Sequence, residues 1–363
     1  MSDVPVVALL VAPDEPTPPG LGTLSEQARL VVVRTLDEVV AALRDAAVLA
    51  VYDIHTPLVR QLGDRVSHLR WIHAASAGVD AVLTPDVLCS PCVVTNAAGI
   101  FDRPIAEYCI AVLLGFVKDL PRTLGFQRAR QWRHRETRPL AGRHLMVVGA
   151  GSIGSEVGRL GRALGMEARG IARTARDGHP VFGHLYGSDE LSSQLGWAHD
   201  VVICTPLTEA TRGMFDLAAF AALTPGAHLV NVGRGPVVDE VALLAAVRSG
   251  VVAGAALDVF EQEPLPAEHP FWGMEQVIVS PHMSGDERGW REALGAQFVE
   301  NFHRWRRGEP LHQVVKEATA LSGDPAGPAV DLAGLAGDLA GPAGLSGDLA
   351  GPAVPGSGSH DSE

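Results

Sequence analysis

Val147-Val148-Gly149-Ala150-Gly151-Ser152-Ile153-Gly154 reads as a strand turning sharply into a helix. The first glycine permits the tight turn and the second lets the backbone approach a pyrophosphate. The third allows close helix–strand packing, and N–H groups at the helix start, those of Ser152 and Ile153 included, would receive the anion. An acid should end the following strand if a ribose 2′-hydroxyl is to be held. The chain reads Gly170-Ile171-Ala172-Arg173-Thr174-Ala175-Arg176 instead, with no acid before Asp177. An arginine at that edge, beside Thr174, suits a 2′-phosphate, whose oxygens pair with its planar fork. NADP(H) is the favoured cofactor; NAD(H) stays open if Arg173 only covers the adenine face.

Three further segments set charged groups among apolar ones. Asn231-Val232-Gly233-Arg234-Gly235 follows a buried strand, so Arg234 sits at a strand's carboxyl end, where α/β ligands bind. Ala256–Pro266 puts Asp258 at a strand end and Glu263 in the loop after it, and Ser280-Pro281-His282 ends the next strand. Singly, Arg234 reads equally well as an ion-pair partner and His282 as a core histidine. Together, beside a dinucleotide loop, they supply what carbonyl reduction requires. A cation holds a carboxylate and polarises the carbonyl, a histidine delivers a proton, and a carboxylate keeps that histidine oriented.

The elements that must position these groups are visible as short apolar runs alternating with helical patterns. Val6–Val11, Leu30–Val33, Val48–Tyr52, Leu69–His73 and Val93–Thr95 read as buried strands, with amphipathic stretches such as Asp37–Arg44 and Pro57–Leu62 between them. A long helix follows, with Asp102 as its cap, Pro104 in its first turn and a nearly all-apolar run to Val117. A second series has strands at Leu145–Val148, Ala168–Ala172, Val201–Cys204, His228–Val232, Gly254–Leu257 and Val277–Val279. Ile153, Val157, Leu160 and Leu164 lie on one face of an intervening helix, and a final helix is expected over about Arg288 to Trp305. Strands this apolar, separated by helices, indicate βαβ units and parallel sheets covered on both faces.

From about Ala318 the pattern collapses into Gly-Asp-x-Ala-Gly-Pro-Ala segments at 323–329, 337–343 and 347–353. Such a tail cannot bury enough to offset its ordering entropy, so 318–363 is expected to be disordered. It holds six acids (Asp324, Asp331, Asp338, Asp348, Asp361, Glu363) and no lysine or arginine, which is nearly half of the formal charge of −13. That acidic balance argues against nucleic-acid and anionic-membrane partners, which need a basic face. No stretch approaches the roughly 20 apolar residues of a membrane span. The run Val6–Val11 lacks a cationic start and is cut by Pro13-Asp14, so it is no secretion signal. Cys89-Ser-Pro-Cys92 has no second pair in Cys109 and Cys204 for zinc and precedes a strand, so the thiols read as buried or incidental and no metal is expected. A cytoplasmic location is expected.

Over nearly all of residues 1 to 317 the sequence resembles the D-isomer-specific 2-hydroxyacid dehydrogenase family. The matching segments are Trp71–Asp80, Gly149–Gly154, Asn231–Gly235 with Val238-Asp239, Ala256–Pro266 and Ser280–His282. The resemblance implies that Arg234 binds the substrate carboxylate and helps activate the 2-oxo group. It implies that His282 is general acid in reduction, with Glu263 as partner, and that Asp258 hydrogen-bonds the nicotinamide carboxamide. Backbone N–H groups around Ala77 and Gly78 would meet the substrate carboxylate from the other domain. Cys204-Thr205-Pro206 and Val232-Gly233 would line the nicotinamide and ribose.

The expected fold is α/β, with two Rossmann-like doubly wound parallel-sheet domains and a cleft between them. The family implies a discontinuous substrate domain, 1–100 with 283–317, a dinucleotide domain over 101–282, and a homodimer. Glu263 argues against formate oxidation, where the family pairs the histidine with glutamine. Ala75-Ser76-Ala77-Gly78-Val79-Asp80-Ala81 replaces the arginine-bearing loop of phosphoglycerate dehydrogenases. With Arg173, the loop looks most like the glyoxylate and hydroxypyruvate reductases. The rival readings are a phosphoglycerate dehydrogenase-like enzyme and, outside catalysis, a dinucleotide-sensing corepressor-like protein that keeps the fold.

Overall fold

The computed structural model describes residues 4–53 and 56–318, so all but the first residue of the expected tail lies outside the described residues. Five strands, β1 (Val6–Leu10), β2 (Arg29–Val33), β3 (Ala46–Val51), β4 (Trp71–Ala74) and β5 (Val93–Thr95), pair in parallel in the order β2-β1-β3-β4-β5. Every residue of β1 and β4 is buried, which is why these strands read as unbroken apolar runs: both sheet faces are covered.

The second sheet contains β6 (His144–Val148), β7 (Glu167–Ile171), β8 (Arg176–His179), β9 (Gly183–Tyr186), β10 (Asp200–Ile203), β11 (Ala227–Asn231), β12 (Val252–Leu257) and β13 (Val277–Val279). Its order is β13-β12-β11-β10-β6-β7-β9-β8. In both sheets the winding reverses beside the first strand, between β1 and β3 and between β6 and β10. The crevice at the carboxyl ends of such a pair is where α/β proteins hold ligands.

The chain then returns to the first sheet. Phe298 and Phe302 of the helix Trp290–Arg307 share a core with Val7, Leu9, Val48, Ala50 and Trp71, and the Trp71 and Phe298 rings stack 5.1 Å apart. A last strand, β14 (Val314–Lys316), pairs antiparallel with β5. The helix Asp102–Val117 leaves the first sheet and packs on the second. Its Phe101, Ile105, Ala106, Cys109 and Leu113 lie in one core with Ala75 and Ala97 on one side and Val147 and Val230 on the other.

Three expectations need correction. Asp102 does not cap its helix: Phe101 holds that position with no side-chain cap, and Asp102 is the first helical residue, accepting a hydrogen bond from Ser152 Oγ. Pro57–Leu62 is not an amphipathic helix but gives way to 3₁₀ turns at Val59–Gln61 and Gly63–Val66, because Gly63 takes φ +58 before a second turn of α-helix can form. Both sheets are parallel α/β sheets as expected, each finished at one edge by an antiparallel pairing, β8 with β9 and β14 with β5. The β8–β9 hairpin stands where no strand was expected. Among the described residues no helix is long and apolar enough to cross a membrane.

Candidate active site

The glycine loop follows β6 into the helix Ser152–Ala163, at the reversal beside β10. Gly149 takes φ +101, and a Cβ there would stand 2.7 Å from Thr205 N and 2.8 Å from Cys204 C. The two loops therefore touch, and only glycine allows it. Gly151 caps the helix with no side-chain hydrogen bond, and open space surrounds the place of its missing Cβ. A bare helix start with room before it fits a dinucleotide's pyrophosphate.

The remaining cofactor-side expectations fall around this cradle. Cys204, Thr205 and Pro206 follow β10, and Val232 and Gly233 follow β11. Burial pushes the Cys204 thiol up to about 12, so it stays a neutral, unreactive wall. Arg173 and Thr174 are exposed just past the carboxyl end of β7. The acid nearest to them in sequence, Asp177, lies in β8 and pairs with His184 at 2.7 Å.

The charged groups converge above β11, β12 and β13. Asn231 shapes the turn after β11, accepting from Gly233 N at 3.1 Å and donating to Arg234 O at 3.2 Å. The Arg234 side chain then reaches across to the first sheet's loop. Nη2 donates to Asp80 Oδ1 at 2.9 Å, Nε lies 3.2 and 3.3 Å from the two Asp80 oxygens, and Nη1 donates to Gly233 O at 2.8 Å. Burial works to raise the Asp80 carboxyl, but the Arg234 guanidinium outweighs it and holds the group below its ordinary value, with His282 adding to the effect.

His282 stands in a left-handed backbone conformation, φ 51, with Nδ1 2.9 Å from Glu263 Oε2. The other Glu263 oxygen accepts from Phe260 N at 2.9 Å, so the carboxylate is aimed before the ring meets it. Asp258, 1% exposed at the end of β12, accepts from Ser280 Oγ, Met283 N and Ser284 N, while its carbonyl accepts from His282 N. The carboxylate beside His282 is thus Glu263, and Asp258 holds the loop that carries the ring.

On the first sheet's side, Ala77 O accepts from Asn96 Nδ2 and Gly78 O from Ser76 Oγ. Sequence reading missed Asp80 as a functional residue, although it ended a segment that had drawn attention; its acid type in an otherwise small, apolar loop was the available signal. Among the described residues no His, Cys, Asp or Glu group could hold a metal ion.

Comparison with known proteins follows the same lines. The family model for the D-isomer specific 2-hydroxyacid dehydrogenase NAD binding domain matches residues 110–284. The glyoxylate reductase of Aeropyrum pernix is 31% identical over 267 residues, 70% of this chain and 78% of that protein. The chain spans 54% of the D-3-phosphoglycerate dehydrogenase of Methanocaldococcus jannaschii, at 28% identity. The solved D-isomer specific 2-hydroxyacid dehydrogenase of Xanthobacter autotrophicus, in complex with NADPH and MES, superposes with a TM-score of 0.74 at 29% identity, over 86% of this chain and 98% of that one. The NADPH-dependent glyoxylate/hydroxypyruvate reductase of Sinorhizobium meliloti, in complex with NADP and sulfate, gives 0.71 at 27% identity, over 85% and 97%.

Proposed function

The chain belongs to the D-isomer-specific 2-hydroxyacid dehydrogenase family and is a nicotinamide-dinucleotide-dependent oxidoreductase of small 2-oxo and 2-hydroxy acids; from that premise we propose that it reduces glyoxylate or hydroxypyruvate to the D-2-hydroxy acid, preferring NADPH to NADH. The observation that carries this reading is the pairing of two held groups over one cradle. The Arg234 guanidinium is fixed by Asp80 and the His282 imidazole by Glu263, both in loops that leave the carboxyl ends of strands of the sheet that carries the glycine loop, and both act on the Asp80 carboxyl.

When bound, the nicotinamide supplies the hydride that reaches the substrate's C2. Arg234 pairs with the substrate carboxylate and draws charge toward the 2-oxo oxygen, aided by the N–H groups of Ala77 and Gly78. His282 gives a proton to that oxygen. Its Nδ1 is committed to Glu263, so the proton handed over is the one on Nε2, and Glu263 holds the ring in that orientation. Asp258 keeps a lone pair on Oδ2 with which to accept from the carboxamide. The exposed Arg173, with Thr174, supports the preference for a 2′-phosphate. The names of the Aeropyrum and Sinorhizobium relatives support the substrate class.

In this reading 1–100 with 283–317 is the substrate domain and 101–282 the dinucleotide domain, in a cytoplasmic homodimer with no nucleic-acid partner. The test is steady-state turnover of glyoxylate, hydroxypyruvate, pyruvate and bulkier 2-oxo acids with NADPH and NADH in parallel, for the parent and His282→Ala. The expected result is NADPH-dependent turnover of the two smallest polar acids, lost by orders of magnitude in the variant while dinucleotide binding persists. A variant as fast as the parent would overturn the proton donor. Tight dinucleotide binding with no turnover of any acid would favour the sensing role.

A further inference from the structure

His282 holds a backbone conformation that a non-glycine residue adopts only when its surroundings insist, at a cost of about 1 kcal/mol or more. The insistence comes from Asp258. Its carbonyl takes His282 N at 2.8 Å, Oδ1 takes Met283 N at 3.0 Å and Oδ2 takes Ser284 N at 2.9 Å. Three successive N–H groups thus point at one buried residue. The loop is only as well placed as that carboxylate is.

The carboxylate is itself held from a different element. Ser280 Oγ donates to Asp258 Oδ1 at 2.6 Å. A serine hydroxyl has one proton, so Ser280 must act as acceptor toward its second partner, Tyr108 OH, 2.7 Å away. The bonds run in one direction: Tyr108 to Ser280 to Asp258. Tyr108 belongs to the helix Asp102–Val117, whose neighbouring Ala106 and Cys109 are fully buried in the core beneath both sheets. The far end of the chain is thus anchored on a rigid support rather than on the loop.

We propose that Tyr108 and Ser280 are positioning residues for the reduction: through Asp258 they fix the left-handed loop that presents His282 to Glu263 and to the substrate oxygen. Neither touches the reacting atoms. Burial, partly offset by Ser280, pushes the Tyr108 hydroxyl up to about 12, which keeps it a donor throughout the working range. Tyr108 lies 172 positions from Ser280 in sequence, and both resemble ordinary core hydroxyls until the bonds are traced.

The proposal rests on His282 as proton donor, so the test carries that variant alongside. Tyr108→Phe, Ser280→Ala, Ser280→Thr, Tyr108→Phe/Ser280→Ala and His282→Ala are compared with the parent. The measurements are single-turnover loss of reduced-dinucleotide absorbance with glyoxylate, dinucleotide affinity and thermal midpoint. The hydride-transfer rate of Tyr108→Phe and of Ser280→Ala is expected to fall about tenfold, with 2-oxo acid KM and dinucleotide affinity within about twofold, as for a misplaced group rather than a lost binding contact. Ser280→Thr should restore the rate, and the double variant should be no slower than Ser280→Ala, because one chain of bonds is broken only once. A Tyr108→Phe enzyme with the parent rate overturns the proposal. So does one altered only in thermal midpoint or dinucleotide affinity, and so does a double variant whose losses multiply. If His282→Ala keeps the parent rate, the functional reading itself fails; if it is inactive while Tyr108→Phe keeps the parent rate, the positioning role alone fails.

Discussion

Arg234 and Asp80 meet across 154 positions of sequence and across the two sheets, with Nη2 to Oδ1 at 2.9 Å and Nε within 3.3 Å of both carboxylate oxygens. A guanidinium reaching from the end of β11 into the cleft would otherwise sample many rotamers. Asp80 fixes its plane from one edge, Gly233 O takes an Nη1 proton, and the remaining N–H groups on Nη1 and Nη2 are left to meet a substrate carboxylate. The pair also joins the loop after β4 to the loop after β11, so substrate-side and cofactor-side parts of the site are registered by the residue that would bind the substrate.

Replacing Asp80 by alanine should therefore disorder the arginine without touching the cradle. The expected outcome is a fall in kcat/KM for the 2-oxo acid of about tenfold to a hundredfold, with dinucleotide affinity unchanged. Asp80→Asn keeps an acceptor toward Arg234 and should fall between the two. Steady-state kinetics with one cofactor at saturation decides it; an alanine variant matching the parent would remove Asp80 from the site.

Gly78 carries a sharper version of the same constraint. A Cβ at this position would sit 1.8 Å from Arg234 Nη2 and 2.9 Å from its Cζ, a separation that atoms cannot adopt. Gly78→Ala must push the guanidinium off Asp80, and the backbone φ is not left-handed, so no backbone strain accompanies the change. The variant should fold with a thermal midpoint within a few degrees of the parent, yet lose about a hundredfold or more in kcat/KM. Parent-like kinetics would mean that the arginine works equally well elsewhere.

Legibility in the sequence followed how local each feature is. The glycine loop, Arg234, Glu263 and His282 could be picked out because each lies in a short run whose residue types state the chemistry, at the end of an apolar strand. Asp80 could not be paired with Arg234 from spacing, nor Tyr108 with Ser280, since those contacts exist only once two sheets and a helix are assembled. The β8–β9 hairpin escaped because its strands are four residues each and mostly polar, with Gly183 opening the second at φ +75. Short polar strands at the margin of a sheet carry little of the apolar signal that marks central ones. Asp102 has the right type for a cap, yet the helix begins one residue earlier and its carboxylate turns to Ser152 instead.

His73 makes stability depend on pH. It is fully buried in β4, with Nδ1 2.9 Å from Thr95 Oγ1, and burial pulls its pKa from 6.5 to about 3. Between those values the unfolded chain binds a proton that the folded one refuses, so stability falls as pH drops below 6.5 and continues to fall toward about 3. The full slope for one such group is about 1.4 kcal/mol per pH unit. His73→Leu removes this term, and the difference in unfolding free energy between about pH 7 and about pH 4.5 should shrink relative to the parent. Denaturant titrations at the two pH values measure it, and an unchanged difference would show that His73 is protonated in the folded protein.

The proposed preference for NADPH rests on Arg173. It is exposed past β7, and Asp177, the acid nearest to it in sequence, is engaged by His184, so a guanidinium is available to a 2′-phosphate. A charge-assisted bond of this kind contributes about 1.5 to 3 kcal/mol, or roughly tenfold to a hundredfold in affinity. Arg173→Ala should raise KM for NADPH by about that factor and leave KM for NADH within about twofold, because NADH carries no phosphate there to lose. Thr174→Ala should act in the same direction and less, since a neutral hydroxyl supplies one weaker bond. Michaelis constants for both cofactors, taken with the same saturating 2-oxo acid, separate the cases. Equal losses for NADPH and NADH would place Arg173 against the adenine, which both cofactors share, and an NADH efficiency equal to that of NADPH in the parent enzyme would leave the 2′-phosphate no part in recognition.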